Sequence, residues 1–275
     1  MPTPWRTMMT TLLAATAAVA AVFVAVRLFE RGLAFFPLQG EDETPASFGV
    51  PFDALDLTTA DGERVHAWWM PHESPRATVL YFHGNGGHLS MWAPVLVGIW
   101  RQGHSVFALD YRGYGRSSGR PSEAGLYRDV SAAVAAVHGR ADCGAIPIVY
   151  WGRSLGAVMA ARAAREQAPD GLILEAGFPS MRAVLEGSPF WLLSWFSSYR
   201  FPASRWLEGV EVPTLVLHGE RDSVIPFRLG QELFESVRGP KQFVAIQGGD
   251  HNDLEPAEPD RYWSAVGEFT QGLRK

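Results

Sequence analysis

Residues 146–166 run IPIVYWGRSLGAVMAARAARE. A short apolar run ends at Trp151, Gly152-Arg153-Ser154-Leu155-Gly156 follows at once, and an alanine-rich stretch with helical spacing begins immediately after it. G-x-S-x-G signals chemistry only in this strand–turn–helix setting. There the glycines permit a sharp turn and leave room around it, so the serine hydroxyl stands exposed at the start of a helix. Ser154 is the predicted nucleophile. The pattern recurs at Gly115-Arg116-Ser117-Ser118-Gly119, which follows the loop-like DYRGY and runs into Arg120-Pro121. With no strand directly before it and no helix directly after, Ser117 is read as a decoy.

Outward from this motif the chain alternates strand-like and helix-like segments. Strands are predicted at Ala54–Thr58, Val65–Met70, Thr78–Phe82, Ser105–Asp110, Ile146–Trp151, Gly171–Glu175, Thr214–His218 and Gln242–Ile246. Runs such as VLYF, VFAL, IVYW and LVLH are continuously apolar, as central strands covered on both faces must be. Helical spacing marks Leu89–Arg101, Ser122–Val137, Leu155–Gln167, Phe227–Val237 and Pro259–Gly272, with Val130, Val134 and Val137 forming one inward stripe. The alternation predicts an α/β fold, a doubly wound and mostly parallel sheet of eight strands.

A serine hydroxyl needs an imidazole to take its proton and a carboxylate to orient that imidazole. Only His218 and His251 follow Ser154. His218 is embedded in the apolar run TLVLHGE, whereas His251 lies in Gly248-Gly249-Asp250-His251-Asn252, a glycine-rich loop after the last strand. His251 is the predicted base. Asp222 follows strand TLVLH on a strand-end loop and precedes Val224-Ile225-Pro226, and it is the predicted acid. Glu220, Asp250 and Asp253 are rivals whose ordinary role is a turn or a solvated cap. The Phe82-His83-Gly84-Asn85-Gly86-Gly87 loop follows a buried strand and can turn a backbone N–H into the site. The Asn85 and Leu155 amides are the expected oxyanion donors.

Between the sixth and seventh strands, Met181–Leu207 contains SPFWLLSWFSSYRFPASRW, too long for a simple connection. Two short helices are expected, one with Ser188 as N-cap and Pro189 as its first residue, the other over Ala203–Leu207 beyond Pro202. The insertion, about residues 178–208, is a candidate cap. Trp191, Trp195, Phe196 and Trp206 either pack on the sheet edge or form a lid that lines an acyl pocket or touches a bilayer.

The N-terminus differs from the rest. Thr7–Val26 holds no charged residue, and as a helix it is roughly 30 Å long, enough to cross a bilayer's hydrocarbon. An uncleaved single-pass anchor over about residues 7–29 is the favoured reading. A cleaved signal peptide ending near Ala18-Val19-Ala20 competes, but the apolar run continues past that site. Arg6 and the free amine precede the helix while Arg27 and Arg31 follow it, a near-balanced count. The adopted orientation puts the short N-terminus inside and the body on the extracytoplasmic side. The body, residues 37–275, is then one catalytic domain.

The remaining composition excludes more than it selects. Lys plus Arg total 24 against 29 for Asp plus Glu, a net charge of −5 with no basic stripe, so nucleic acid is not an expected partner. Cys143 is the only cysteine, which rules out an internal disulfide framework and a multi-thiolate metal site. No metal or cofactor is implied, and oligomeric state is left open.

The combination HGNGG, DYRGYGRSSGRPSEAGL, GRSLG, HGERDSVIP and GGDHN, spread over most of residues 50–275, resembles the α/β-hydrolase superfamily. The resemblance is nearest to its membrane-anchored serine hydrolases and extends to Arg31-Gly32-Leu33-Ala34-Phe35-Phe36-Pro37. It implies an antiparallel second strand, a cap after the sixth, and hydrolysis of small-molecule carboxylic esters or thioesters. Amide cleavage or a non-catalytic binding scaffold on the same fold are the alternatives. Asp110 and Arg112 match a segment whose role in that family is structural.

Overall fold

A computed structural model describes residues 4–143, 145–189 and 191–273. Residues 274 and 275 of the predicted domain lie outside this range. Eight strands form one sheet: β1 Asp53–Thr58, β2 Arg64–Met70, β3 Thr78–Phe82, β4 Ser105–Leu109, β5 Ile148–Arg153, β6 Gly171–Glu175, β7 Thr214–Gly219 and β8 Lys241–Ile246. Their order is β8-β7-β6-β5-β3-β4-β2-β1. β2 runs antiparallel to both neighbours and the other pairings are parallel.

Helices cover both faces. On one side lie α3 (Glu123–His138), α4 (Leu155–Glu166), α6 (Ala203–Leu207) and α7 (Phe227–Ser236); on the other are α2 (Leu89–Arg101) and α9 (Pro259–Gly272). The strands serve the two cores alternately: Leu80 and Phe82 face the first, Val79 and Tyr81 the second. That period of two explains the continuously apolar runs, because both faces of each central strand are inside.

Strand ends depart from the sequence expectation where pairing decides them. β5 starts at Ile148, past Pro147, and continues to Arg153, because Gly152 and Arg153 still pair with Leu174 and Glu175. The insertion departs further. Its serine-capped helix is α5 (Met181–Glu186), where Ser180 Oγ accepts from the Ala183 N–H at 3.2 Å, while the helix expected from Ser188 and Pro189 runs into residue 190, outside the described residues. The Ser188 hydroxyl donates back to Leu185 O at 2.8 Å, and a 3₁₀ turn follows at Trp191–Trp195. α6 occurs where expected.

α1 (Pro4–Ala34) is, among the described residues, the helix long and apolar enough to cross a membrane, and side chains such as Met8, Leu12 and Leu28 are exposed along it. It outruns the apolar stretch through Arg27, Glu30 and Arg31, since no proline intervenes before Pro37. A 3₁₀ turn at Pro45–Phe48 precedes β1, and the short α8 (Leu254–Ala257) precedes α9.

β3 lies between β4 and β5, so successive connections leave it in opposite directions and open a crevice at the strands' carboxyl ends. There Gly156 is packed so closely that an added methyl would sit 1.8 Å from Phe82 O. Gly156→Ala is expected to destabilise the fold by about 3 kcal/mol through backbone overpacking, read as a lowered urea midpoint.

Candidate active site

β5 delivers Ser154 to this crevice at the turn into α4. Ser154 adopts φ 57°, ψ −117°, unusual for a residue with a Cβ, and its N–H is tied to Glu175 O at 2.8 Å. Such a conformation persists only when the surroundings over-determine it. Gly152 supplies part of that constraint, since a Cβ there would lie 1.9 Å from Gly156 O.

Three side chains predicted from three separate loops meet here. His251 Nε2 lies 3.0 Å from Ser154 Oγ, and His251 Nδ1 lies 2.8 Å from Asp222 Oδ2. Asp222 Oδ1 accepts the backbone N–H groups of Val224 and Ile225 at 2.9 and 2.7 Å. Burial alone would raise the Asp222 pKa. The hydrogen bonds from His218, His251 and Ile225, with the His251 charge, instead hold its carboxyl well below the usual carboxylate range. The rival acids are occupied elsewhere. Asp250 accepts from Ser223 and the His251 N–H, Asp253 accepts from the Asp250 N–H, and Glu220 is exposed.

Ser117 is a structural serine. Its hydroxyl donates to Asp110 O at 2.7 Å and accepts the His66 N–H at 2.8 Å, tying the DYRGY loop to β2. Asp110 accepts the Leu89 N–H, and Arg112 pairs with Asp61 and Asp129, so both are fastenings rather than reactive groups.

A supporting layer that no sequence motif marks lies beneath these side chains. Arg153, the variable residue of the motif, is buried; its Nη2 donates to His251 O at 2.7 Å and its Nε lies 3.6 Å from Glu175 Oε1. Glu175 also accepts from Trp151 Nε1 and the Tyr262 hydroxyl. His218, set aside as a base, sits fully buried with Nε2 2.9 Å from Ile225 O and 3.3 Å from Asp222 Oδ2. Its place in a run of apolar strand residues was the available signal, because a buried imidazole there needs a polar partner.

A cavity of about 640 Å³ opens beside Ser154. Asn85 and Leu155 line it, together with Met91, Trp92, Phe178, Met181, Val184 and Phe201. Of the roles the sequence leaves open for Trp191, Trp195 and Phe196, sheet-edge packing or a lid that lines the pocket or touches a bilayer, pocket lining is not seen among the residues of this cavity. Trp191 and Trp195 are 53% and 73% exposed, and none of the three lines the cavity. Met181 and Val184, one turn apart on α5, take that position, leaving the following 3₁₀ turn on the outside of the cap.

A family model described as serine aminopeptidase, S33, matches residues 73–208. The chain is 35% identical to the uncharacterized protein Rv2307c of Mycobacterium tuberculosis over 229 residues, 82% of each chain. It is 33% identical to the uncharacterized membrane protein YNL320W of Saccharomyces cerevisiae over 236 residues, again 82% of each. Among solved structures, the Pyrococcus furiosus esterase Pf2001 superposes with a TM-score of 0.73 at 22% identity, covering 87% of this chain and 97% of that one. The chain belongs to the α/β-hydrolase superfamily. It is a hydrolase on that fold.

Because Asp222's pKa is depressed in the folded state, its stabilising contribution is full above the unfolded carboxylate value of about 3.9 and is lost as pH falls through the folded value. The stability difference between wild type and Asp222→Asn is therefore expected to be largest near neutral pH and to shrink below about pH 4. Urea unfolding at both pH values measures it, and a gap that does not change with pH would contradict the assignment.

Proposed function

We propose that this chain is a single-pass, membrane-anchored serine hydrolase that cleaves carboxylic esters or thioesters with apolar acyl groups. Ser154 Oγ attacks the acyl carbonyl carbon while His251 Nε2 takes its proton, and ionised Asp222 balances the imidazolium through Nδ1–H. The Asn85 and Leu155 N–H groups receive the oxyanion. Collapse of the tetrahedral adduct expels the alcohol or thiol, which leaves with the proton from His251. A water, deprotonated by the same imidazole, then releases the acid from Ser154.

The observation that carries the substrate reading is the cavity lining. It includes Phe36, Met91, Trp92, Phe178, Met181 and Val184 and, among the described residues, no carboxylate. The family description raises aminoacyl-amide cleavage as the second reading. An aminopeptidase must bind a substrate ammonium, and an apolar wall without an acid gives that charge no partner. Esters with uncharged acyl chains are the better match.

Anchoring rests on α1, its uncharged Thr7–Val26 stretch, and the membrane designation of the yeast relative. Glu30 accepts from the Ser198 N–H at 2.8 Å and also from its hydroxyl, joining the helix to the cap. Glu30 lies four residues beyond Val26, roughly 6 Å past the end of the apolar stretch, which puts this junction at headgroup depth. Exposed Trp191, Leu192 and Trp195 follow α5 in the same cap, suited to an interfacial belt. In the proposed topology the short N-terminus is cytoplasmic and the catalytic body extracytoplasmic, which protease protection in sealed vesicles tests.

Ser154→Ala is expected to lower ester turnover by at least about 10³-fold and to abolish fluorophosphonate labelling, whereas Ser117→Ala, if folded, should keep turnover within about threefold. Equal turnover by wild type and Ser154→Ala would refute the mechanism. In a matched panel, medium-chain esters and thioesters should exceed aminoacyl amides in kcat/KM by at least about tenfold; the reverse ranking would favour the peptidase reading.

A further inference from the structure

The chain leaving α1 passes directly into the wall of the candidate active site. Ala34 ends the helix, and its carbonyl, one of those a helix terminus leaves without an internal partner, accepts from Asn85 Nδ2 at 2.7 Å. Two residues later Phe36 and Pro37 pair in parallel with Gly86 and Gly87, and the Leu38 N–H donates to Gly87 O at 3.1 Å. The far side of the same segment is held by the Gly113–Gly115 turn: Leu38 O accepts the Gly115 N–H at 2.8 Å, and the Gln39 side chain donates to Gly113 O. The Tyr114 hydroxyl, 3.1 Å from Asn85 O, closes the ring of contacts. Phe35, 3% exposed, packs edge-on against Tyr199 at 5.2 Å and Phe201 at 6.3 Å.

The loop receiving these contacts has little order of its own. Gly84, Gly86 and Gly87 surround Asn85, and Gly87 sits at φ +83°, so fixing the loop costs more backbone entropy than fixing an ordinary turn. External bonds must supply that order, and several come from the segment that follows α1. Ala34 and Phe36 also line the cavity itself.

We propose that Ala34–Leu38 is a positioning element for acyl transfer, holding the Asn85 loop where its N–H meets the developing oxyanion, so that the anchor's exit and the oxyanion hole form one unit. This rests on the serine-hydrolase reading above. Asn85 thereby has two separable parts: a backbone N–H for the oxyanion and a side chain that grips the end of α1.

The test uses the full-length protein in detergent micelles with a short-chain, water-soluble ester, which needs no bilayer to reach the site. Asn85→Ala keeps the backbone N–H but loses both the bond to Ala34 O and the one its Oδ1 accepts from the Tyr114 hydroxyl, which Tyr114→Phe removes without touching the Ala34 bond; Leu38→Pro loses the bond to Gly87 O. Phe29→Ala, on the exposed face of α1, is the control. Loss of a whole oxyanion donor costs about 10²–10³ in kcat, so a misplaced one is expected to lower kcat at least tenfold in Asn85→Ala and Leu38→Pro. KM should stay within about threefold and the melting midpoint within about 4 °C of wild type, with fluorophosphonate labelling slowed in parallel because the phosphonyl oxygen uses the same donors. A merely structural tie would lower the midpoint and leave kcat per folded molecule unchanged. If Leu38→Pro does not fold, Asn85→Ala read against Tyr114→Phe decides: a kcat loss in Asn85→Ala that Tyr114→Phe does not share supports the proposal, and an equal loss in both overturns it. Folded Asn85→Ala and Leu38→Pro with kcat within twofold of wild type, against a dead Ser154→Ala, would overturn this proposal only; a fully active Ser154→Ala would overturn the serine reading and this proposal with it.

Discussion

The close approach of Gly156 to the end of β3 is the constraint on which the site depends. Phe82 O lies where a Gly156 side chain would begin, and Gly152 meets Gly156 O in the same way. α4 can therefore start only where positions 152 and 156 carry no Cβ, and Ser154, midway between them, is held out of ordinary backbone geometry at φ 57°. Packing density makes this arrangement stiff, since interiors tolerate little overlap before the backbone must move. The same contact places the end of β3, and so the loop after it, directly beside Ser154. Ser154 and the Asn85 loop are set by one piece of packing.

The carboxylate and imidazole come from more distant chain, and a buried polar layer brings them into register. Glu175 ends β6 beside the turn, accepts from Trp151 and Tyr262, and sits against Arg153, whose guanidinium reaches the His251 carbonyl. Removing one member of such a set would leave a buried charge or donor without a partner, a greater cost than the bond itself was worth. His218 does comparable work under Asp222, at the end of the neighbouring strand. The imidazole is thus held by its backbone and by its ring from opposite sides.

Much of this was legible in the sequence, for reasons that differ by element. β3 and β6 were predicted to the residue because both faces of a central strand must be apolar and flanking loops cut the run cleanly. Ser154, Asp222 and His251 were identifiable because each stands in a glycine- or turn-marked loop just after a strand, a placement that local patterning exposes. The role of the cap tryptophans stays open in the sequence because an apolar insertion reads alike as sheet-edge packing, pocket wall or bilayer-facing surface. Burial, however, depends on how the described chain after α5 lies against the cap, which local patterning does not specify. Arg153 and Glu175 escaped notice for a related reason: charged residues read as surface until a partner from another strand is known.

The junction between α1 and the sheet domain argues that helix and site work as a stiff pair. An anchor tethered through a long flexible linker would let the domain sample many heights and orientations above a membrane. Here a single residue, Phe35, separates the last helical residue from the first that pairs with the glycine loop, and it is buried. For a helix spanning a bilayer to Val26, Ala34 stands roughly 12 Å beyond the hydrocarbon edge, about the depth of a headgroup layer. The cavity wall formed by Ala34 and Phe36 would then sit at the outer limit of the lipid, fixed by helix geometry rather than by diffusion. An acyl carbonyl near the headgroup boundary would need only a short displacement to reach Ser154, whereas its chain would stay close to apolar surroundings throughout. In the proposed membrane setting, the hydrophobic lining of the cavity and the short junction after α1 would be two parts of one physical solution, because both would keep an acyl chain out of water.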